Sequence, residues 1–184
     1  FTFNGEEHVI EELTEEALRE GKFDYVLSAL DGDLAAKFCP VAAEAGAIVI
    51  DNSSHFRMVD GIPLVVPEIN PGDISDKAGI IANPNCSTIQ SVVALKPVED
   101  LFKMKRIVYT TFQAVSGSGV RGIADLEKGV KGEAPEFYPY PIAFNCLPHI
   151  DDFLDDGYTR EEMKMVNESK KIFHRPDLAV TATA

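Results

Sequence analysis

The residue with the clearest chemical potential is Cys86, in the stretch Asn83-Pro84-Asn85-Cys86-Ser87-Thr88-Ile89-Gln90. A thiolate is both a good nucleophile and a good leaving group, so it suits acyl transfer through a thioester. Gly79 to Ala82, before it, reads as a short buried strand. Apolar residues at Ile89, Val92, Val93 and Leu95 predict a helix from Thr88 to Phe102. Pro84 cannot continue a central strand and pushes the residue before it out of the helical region. Cys86 therefore falls on a tight strand-to-helix turn, with Ser87 or Thr88 as N-cap. The first-turn N–H groups then point at the thiol, and the positive end of the helix dipole favours the thiolate. The competing reading is a small buried hydrophobe, the common fate of a free cysteine.

The surrounding elements have to position that turn. Asp24 to Leu30 carries a strand signal, Leu34 to Ala45 a helix capped by Asp31 or Asp33 and stopped by Gly46, and Ala47 to Asp51 a continuously apolar strand. Strand, helix and strand at this spacing form a βαβ unit and imply a parallel sheet. Asn52 to Gly61 is a polar loop at the carboxyl end of the second strand, where open α/β sheets bind ligands. Ser28, Ala29 and Leu30 end the first strand and are placed to touch a cofactor. Leu64 to Val66 reads as a short strand, Pro67 to Ala78 as a loop with a short helical turn, and Pro97 as a kink or early end for the helix after Cys86.

From Arg106 the pattern changes. Ile107 to Phe112 alternates like a sheet with one covered face and runs into Gln113-Ala114-Val115-Ser116-Gly117-Ser118-Gly119. Val120 to Lys131 is read as a helix, and Gly132 to Ile142, rich in proline and aromatic residues, as a structured loop. Thr159-Arg160-Glu161-Glu162 is a capping-box pattern opening a helix to about Phe173. Ala179 to Ala184 is strand-like, and the acidic first 20 residues hold a short helix at Glu15 to Glu20.

The chain has 184 residues, 45% hydrophobic and 26% charged, with a net charge of -13. That balance is globular and argues against a nucleic-acid partner and against an anionic membrane surface. No apolar run is long enough to span a bilayer. Cys39, Cys86 and Cys146 lack metal-ligand spacing, so no metal is expected, and their odd number fits a reducing, cytoplasmic setting.

The Cys86 motif followed by the Gln113 to Gly119 turn resembles the aspartate-β-semialdehyde dehydrogenase family. Three further stretches are similar in the same order. They are Asp51-Asn52-Ser53-Ser54-His55-Phe56-Arg57 with Val65 to Asn70, then Ile142 to Asp151, then Asn167-Glu168-Ser169-Lys170-Lys171-Ile172. The resemblance implies an α/β fold: part of a Rossmann-like nucleotide-binding domain (residues 1–84) joined to part of an α+β catalytic and dimerisation domain (85–184). It implies NADP as cofactor, aspartate semialdehyde and phosphate as substrates, and a homo-oligomer, dimer or tetramer, in the pathway to lysine, threonine and methionine. No G-x-G-x-x-G is present. The family's Gly-rich cofactor turn, its substrate-carboxylate arginine and its histidine acid/base are expected to lie outside this stretch, so that the isolated chain is expected to be inactive.

Residue by residue, the resemblance makes Cys86 the nucleophile and Gln113 the group that orients the intermediate. Ser116 and Gly117 then lie near the nicotinamide, although glycines after a strand also serve ordinary turns. Arg57 with Asn85 is implied for phosphate, a role the planar guanidinium suits, against the commoner fate of a solvated arginine. Glu168 is implied for the substrate amine and Lys171 for phosphate or carboxylate. Without the resemblance, Glu161, Lys164, Glu168 and Lys171 are a charge-paired helix stripe. His149 is read as structural, and His8, His55 and His174 carry no catalytic argument. Two other readings compete: a sibling acyl-phosphate reductase, against which the Gln113 turn and the Glu168/Lys171 pair argue, and a non-catalytic folding or association module.

Overall fold

A computed structural model describes residues 1–75 and 79–184. They divide into two units, Phe1–Pro84 and Asn85–Ala184. The end of the predicted Pro67 to Ala78 loop lies outside the described residues. Its helical turn is a 3-10 turn at Pro71–Asp73.

In the first unit, β1 (Thr2–Phe3) and β2 (Glu6–Glu7) form a small antiparallel hairpin. Asn4 and Gly5 turn it, with φ of 51° and 84°. Asn-Gly is the preferred pair for such a turn. Helix α1 (Glu15–Glu20) is capped by the Thr14 side chain. Then β3 (Tyr25–Ser28), α2 (Gly32–Glu44), β4 (Ile48–Asp51) and β5 (Ile80–Ala82) build a parallel sheet in the order β3-β4-β5. Helix α2 ends as expected at Gly46, whose φ is 104°. The Ala47 N–H bonds back to the Ala42 carbonyl and the Gly46 N–H to that of Ala43, closing the last turn.

Two expectations change in this unit. β4 is buried on one side only: Val49 and Asp51 are fully enclosed, whereas Ile48 and Ile50 are each 36% exposed. The contiguous apolar run thus hides an alternation, because α2 covers one face of the sheet. Leu64 to Val66 is not a strand. Leu64 makes a single parallel bridge to Ala82, and the segment is held by burial of all three side chains and by the Asn70 side chain, which accepts the Val66 N–H and donates to the Leu64 carbonyl.

The second unit starts with α3 (Cys86–Phe102), then β6 (Arg106–Thr110), α4 (Gly119–Val130), α5 (Arg160–Ile172) and β7 (Ala179–Thr183). β6 and β7 pair in parallel, from Arg106 opposite Ala179 to Thr110 opposite Thr183. Ile107 and Tyr109 turn inward to a core with Met104, Met165, Val166, Leu178, Ala182 and Ala184. Fully burying a side chain such as Met165 contributes about 1.5–3 kcal/mol. The Tyr109 hydroxyl is not left unpaired there, since it lies 2.9 Å from Ser169 Oγ. Burial pushes the Tyr109 phenol up, with Ser169 partly offsetting it.

Helix α3 does not end at Pro97; it runs on to Phe102. Pro97 and Val93, whose carbonyl loses its usual partner, are both on the exposed side, where water can serve instead. The helix stops at Lys103 in the left-handed conformation. α5 has the full capping box: the Thr159 N–H donates to Glu162 Oε2 at 2.7 Å and the Glu162 N–H to Thr159 Oγ1 at 3.2 Å. In the predicted loop after α4, the Asp125 carboxylate accepts the N–H groups of Glu136, Phe137 and Tyr138 at 3.0, 2.8 and 2.8 Å. Those hydrogen bonds hold the Asp125 carboxyl below its usual range.

Candidate active site

Cys86 is the first residue of α3 and is exposed. The cap is Asn85, not Ser87 or Thr88. Its Oδ1 accepts the Ser87 N–H at 2.9 Å and the Thr88 N–H at 3.1 Å. Two first-turn N–H groups expected to face the thiol are therefore taken by the cap. The Cys86 carbonyl accepts from the Gln90 side chain at 3.1 Å, which braces the first turn.

Asn85 is itself gripped from α5. Its backbone N–H donates to Glu168 Oε2 at 2.7 Å, and its side-chain Nδ2 donates to Glu161 Oε1 at 2.9 Å. The same Glu161 oxygen accepts from Gln113 Nε2 at 3.2 Å. Gln113 Oε1 accepts the Thr111 hydroxyl at 3.0 Å. Cys86, Asn85, Gln113 and Glu168 are thus drawn together by one helix, and Lys171 follows Glu168 by one turn, half-buried.

The charge-paired stripe of α5 keeps the Lys164–Glu161 pair, but its carboxylates are closed off from water. Glu161 and Glu168 are two turns apart on one face and buried, at 6% and 1% exposure. Glu168 turns its carboxylate onto the Asn85 backbone. In the sequence Glu161 stands only in the capping-box pattern and the stripe. Its signal in the sequence was its place within the capping box, two turns before Glu168. Lys164 joins Glu161 Oε2 at 3.1 Å to Asp151 Oδ2 at 2.8 Å. Burial pushes the Glu161 carboxyl up, but the Asn85 hydrogen bond, the Lys164 charge and Gln113 outweigh it and hold it below the usual range. Burial opposes the charge on Lys164 too, and Asp151 and Glu161 together raise it nonetheless.

Ser116 and Gly117 lie exposed on a 3-10 turn, Val115–Ser118. His149 stacks on the Phe153 ring, centroids 4.4 Å apart.

Ser28, Ala29 and Arg57 belong to the first unit. Ser28 is buried and donates its hydroxyl to Asp51 Oδ1 at 2.8 Å, while Ser53 donates to Asp51 Oδ2 at 2.6 Å. Of Ser28, Ala29 and Leu30, expected at a cofactor, Ala29 is exposed, Leu30 half-buried and Ser28 buried. Arg57 is buried rather than a solvated surface arginine. Its Nε donates to the Asn83 carbonyl and its Nη2 to that of Asn52, each at 3.0 Å. It ties the polar loop after β4 to the segment leaving β5. Among the described residues no cluster of side chains is arranged to hold a metal, and no helix is long and apolar enough to cross a membrane.

A parallel sheet of the nucleotide-binding type defines the class of the first unit, and comparison bears this out for it. Residues 2–77 match the family model "Semialdehyde dehydrogenase, NAD binding domain", and residues 95–184 match "Semialdehyde dehydrogenase, dimerisation domain". The chain belongs to the semialdehyde dehydrogenase family. Within it, the chain is 47% identical to the aspartate-semialdehyde dehydrogenase of Campylobacter jejuni, over 98% of this chain and 55% of that protein. It is 49% identical to that of Aquifex aeolicus, over 99% and 56%. The crystal structure of aspartate semialdehyde dehydrogenase II from Vibrio cholerae, also solved in complex with ASA, matches with a TM-score of 0.87 at 47% identity, covering 100% of this chain and 56% of that one. The Candida albicans enzyme, solved with NADP, matches with a TM-score of 0.65 at 28% identity, over 87% and 45%. The chain spans about half the length of the relatives it matches.

Proposed function

We propose that this chain serves aspartate-semialdehyde dehydrogenase chemistry: NADP-dependent interconversion of L-aspartate 4-semialdehyde plus phosphate with 4-phospho-L-aspartate, through a thioester on Cys86. The observation that carries the reading is the exposed thiol at the first residue of α3, beside an Asn85 cap that two buried carboxylates anchor. The names of the relatives support the same reaction.

In this reading the Cys86 sulfur adds to the aldehyde carbon, an S–C bond forms, and the carbonyl pair moves to oxygen. Gln113 has a second Nε2 hydrogen besides the one given to Glu161, and it donates to that oxygen. NADP, when bound, supplies the hydride acceptor that leaves a thioester on Cys86. A phosphate oxygen then attacks the thioester carbon and the thiolate departs. Arg57 and Asn85 serve the phosphate, and Glu168 and Lys171 the amine and the carboxylate or phosphate of the substrate.

Two of the residues assigned to the cofactor, Ala29 and Gly117, are open to a ligand, whereas Ser28 is buried against Asp51. Ala29 lies open at the carboxyl end of β3. Gly117 has no positive φ, and nothing lies within 4 Å of the place a Cβ would take. Its backbone does not demand glycine, and the surface around it is open to a ligand. The same reading carries a homo-oligomer, dimer or tetramer, working in the cytoplasm in amino-acid biosynthesis.

The test is the half-reaction that needs no cofactor. Incubation with 4-phospho-L-aspartate should acylate Cys86 and release phosphate, as read by intact-mass spectrometry and peptide mapping. Cys86→Ser should abolish the adduct. Acylation of Cys146 instead, or of no thiol, would overturn the assignment.

A further inference from the structure

Two side-chain amides at the site converge on a single oxygen. Asn85 Nδ2 and Gln113 Nε2 both donate to Glu161 Oε1, at 2.9 and 3.2 Å. The other end of each amide is committed elsewhere, Asn85 Oδ1 to the α3 N–H groups and Gln113 Oε1 to Thr111. An amide can turn over and exchange its oxygen and nitrogen. Turned over, Asn85 would set its NH2 against two N–H donors and its oxygen against a carboxylate, and Gln113 would likewise set its oxygen against that carboxylate.

Glu161 is suited to forbid this because it is a fixed, ionised acceptor. Its second oxygen is held by Lys164, itself tethered to Asp151. It sits in the first turn of α5, where the helix dipole favours a carboxylate. It is 6% exposed, so water has little access to its lone pairs.

We propose that Glu161 is a positioning residue: it locks the amides of Asn85 and Gln113 in one orientation each, so that Asn85 caps the helix bearing Cys86 while Gln113 keeps a hydrogen for the oxygen of the reacting carbonyl. The proposal deepens the role read for Cys86 and rests on it. Glu161 touches neither the sulfur nor the reacting carbon; it acts through the two amides.

The test compares two reactions of the same thiol in the 184-residue chain. Acylation by 4-phospho-L-aspartate passes through an oxyanion and needs the Gln113 donor; alkylation by iodoacetamide does not. Removing a single oxyanion donor costs about 100- to 1,000-fold in rate, so loosening one should cost less, on the order of tenfold. Glu161→Ala should therefore slow acylation of Cys86 on the order of tenfold more than it slows alkylation. Glu161→Gln keeps an acceptor oxygen for both amides and should restore most of the difference. Equal slowing of the two reactions, or no rescue by glutamine, would overturn the proposal in favour of a merely structural role.

A second measurement is independent of the Cys86 reading. In nitrogen-15 NMR spectra of the unsubstituted chain, the Asn85 Nδ2 and Gln113 Nε2 protons should be shifted downfield and slow to exchange. Both should return to free-amide values in Glu161→Ala. Free-amide values in the unsubstituted chain would refute the lock whether or not Cys86 is acylated. Locked amides without acylation would instead sink the nucleophile reading and leave the lock standing.

Discussion

Substitution of Asn85 tests the site through stability alone. Asn85→Ala removes an N-cap, which costs about 1 kcal/mol within a range of roughly 0.5–2. It also removes a donor to the buried Glu161 carboxylate, a bond to a charged group valued at about 1.5–3 kcal/mol. Gln113 and Lys164 still serve Glu161, so the low end of that range applies. The backbone bond from residue 85 to Glu168 survives. A net loss of about 2–3 kcal/mol is expected.

Asn85→Asp is the sharper perturbation. It keeps the capping oxygen but sets a second carboxylate where Nδ2 now lies, 2.9 Å from Glu161 Oε1. Two unit charges about 3 Å apart repel by roughly 5 kcal/mol at an effective dielectric near 20, so the pair takes up a proton instead. A carboxyl whose folded pKa is raised destabilises only above its unfolded pKa. Below that value both states are protonated and the penalty vanishes. In the unsubstituted chain Glu161 behaves the opposite way: its depressed pKa gives stability above the ordinary carboxylate range that is lost as the pH falls. The gap between Asn85→Asp and the unsubstituted chain should therefore be wide at pH 7 and close towards pH 4. The chain lacks tryptophan, so urea unfolding is best followed by circular dichroism. An aspartate variant as stable as the parent at pH 7, or a gap that widens with acid, would refute the Asn85–Glu161 contact.

Four further expectations follow from single contacts. Lys164→Met should lower stability at neutral pH and flatten its acid limb, because the depressed Asp151 and Glu161 carboxyls both depend on that ammonium; urea titrations at pH 4 to 7 check it. Thr88 is fully buried with its hydroxyl unpaired among the described residues, so Thr88→Val should be neutral or stabilising in the same assay, and a loss above about 1 kcal/mol would point to a missing partner. Gly122→Ala should cost about 1–3 kcal/mol by overpacking, since a Cβ there would lie 2.6 Å from the Val115 carbonyl oxygen and 2.8 Å from Ser118 Cβ and the Tyr138 hydroxyl. In native chain, iodoacetamide should label Cys86 and Cys146 well before Cys39, whose thiol burial both hides and pushes up in pKa; one common rate would contradict the fold of the first unit.

What was legible in the amino-acid order was local. The capping box at Thr159, the glycine stop at Gly46 and the alternation of Ile107 to Thr110 each depend on neighbours a few residues away, so their physics is contained in the stretch that shows it. The cap of α3 was less so. Asn, Ser and Thr are near equals as N-caps, and Asn85, Ser87 and Thr88 all stood in the right place. The choice fell to Asn85 because Glu161 and Glu168, 76 and 83 residues further on, hold it there. The same long-range packing buried the two carboxylates of the charge-paired stripe on α5. Helical spacing shows which side chains share a face, but only the packing of α5 against α3 decided that this face would be closed to water, and so that Glu161 would hold two amides still.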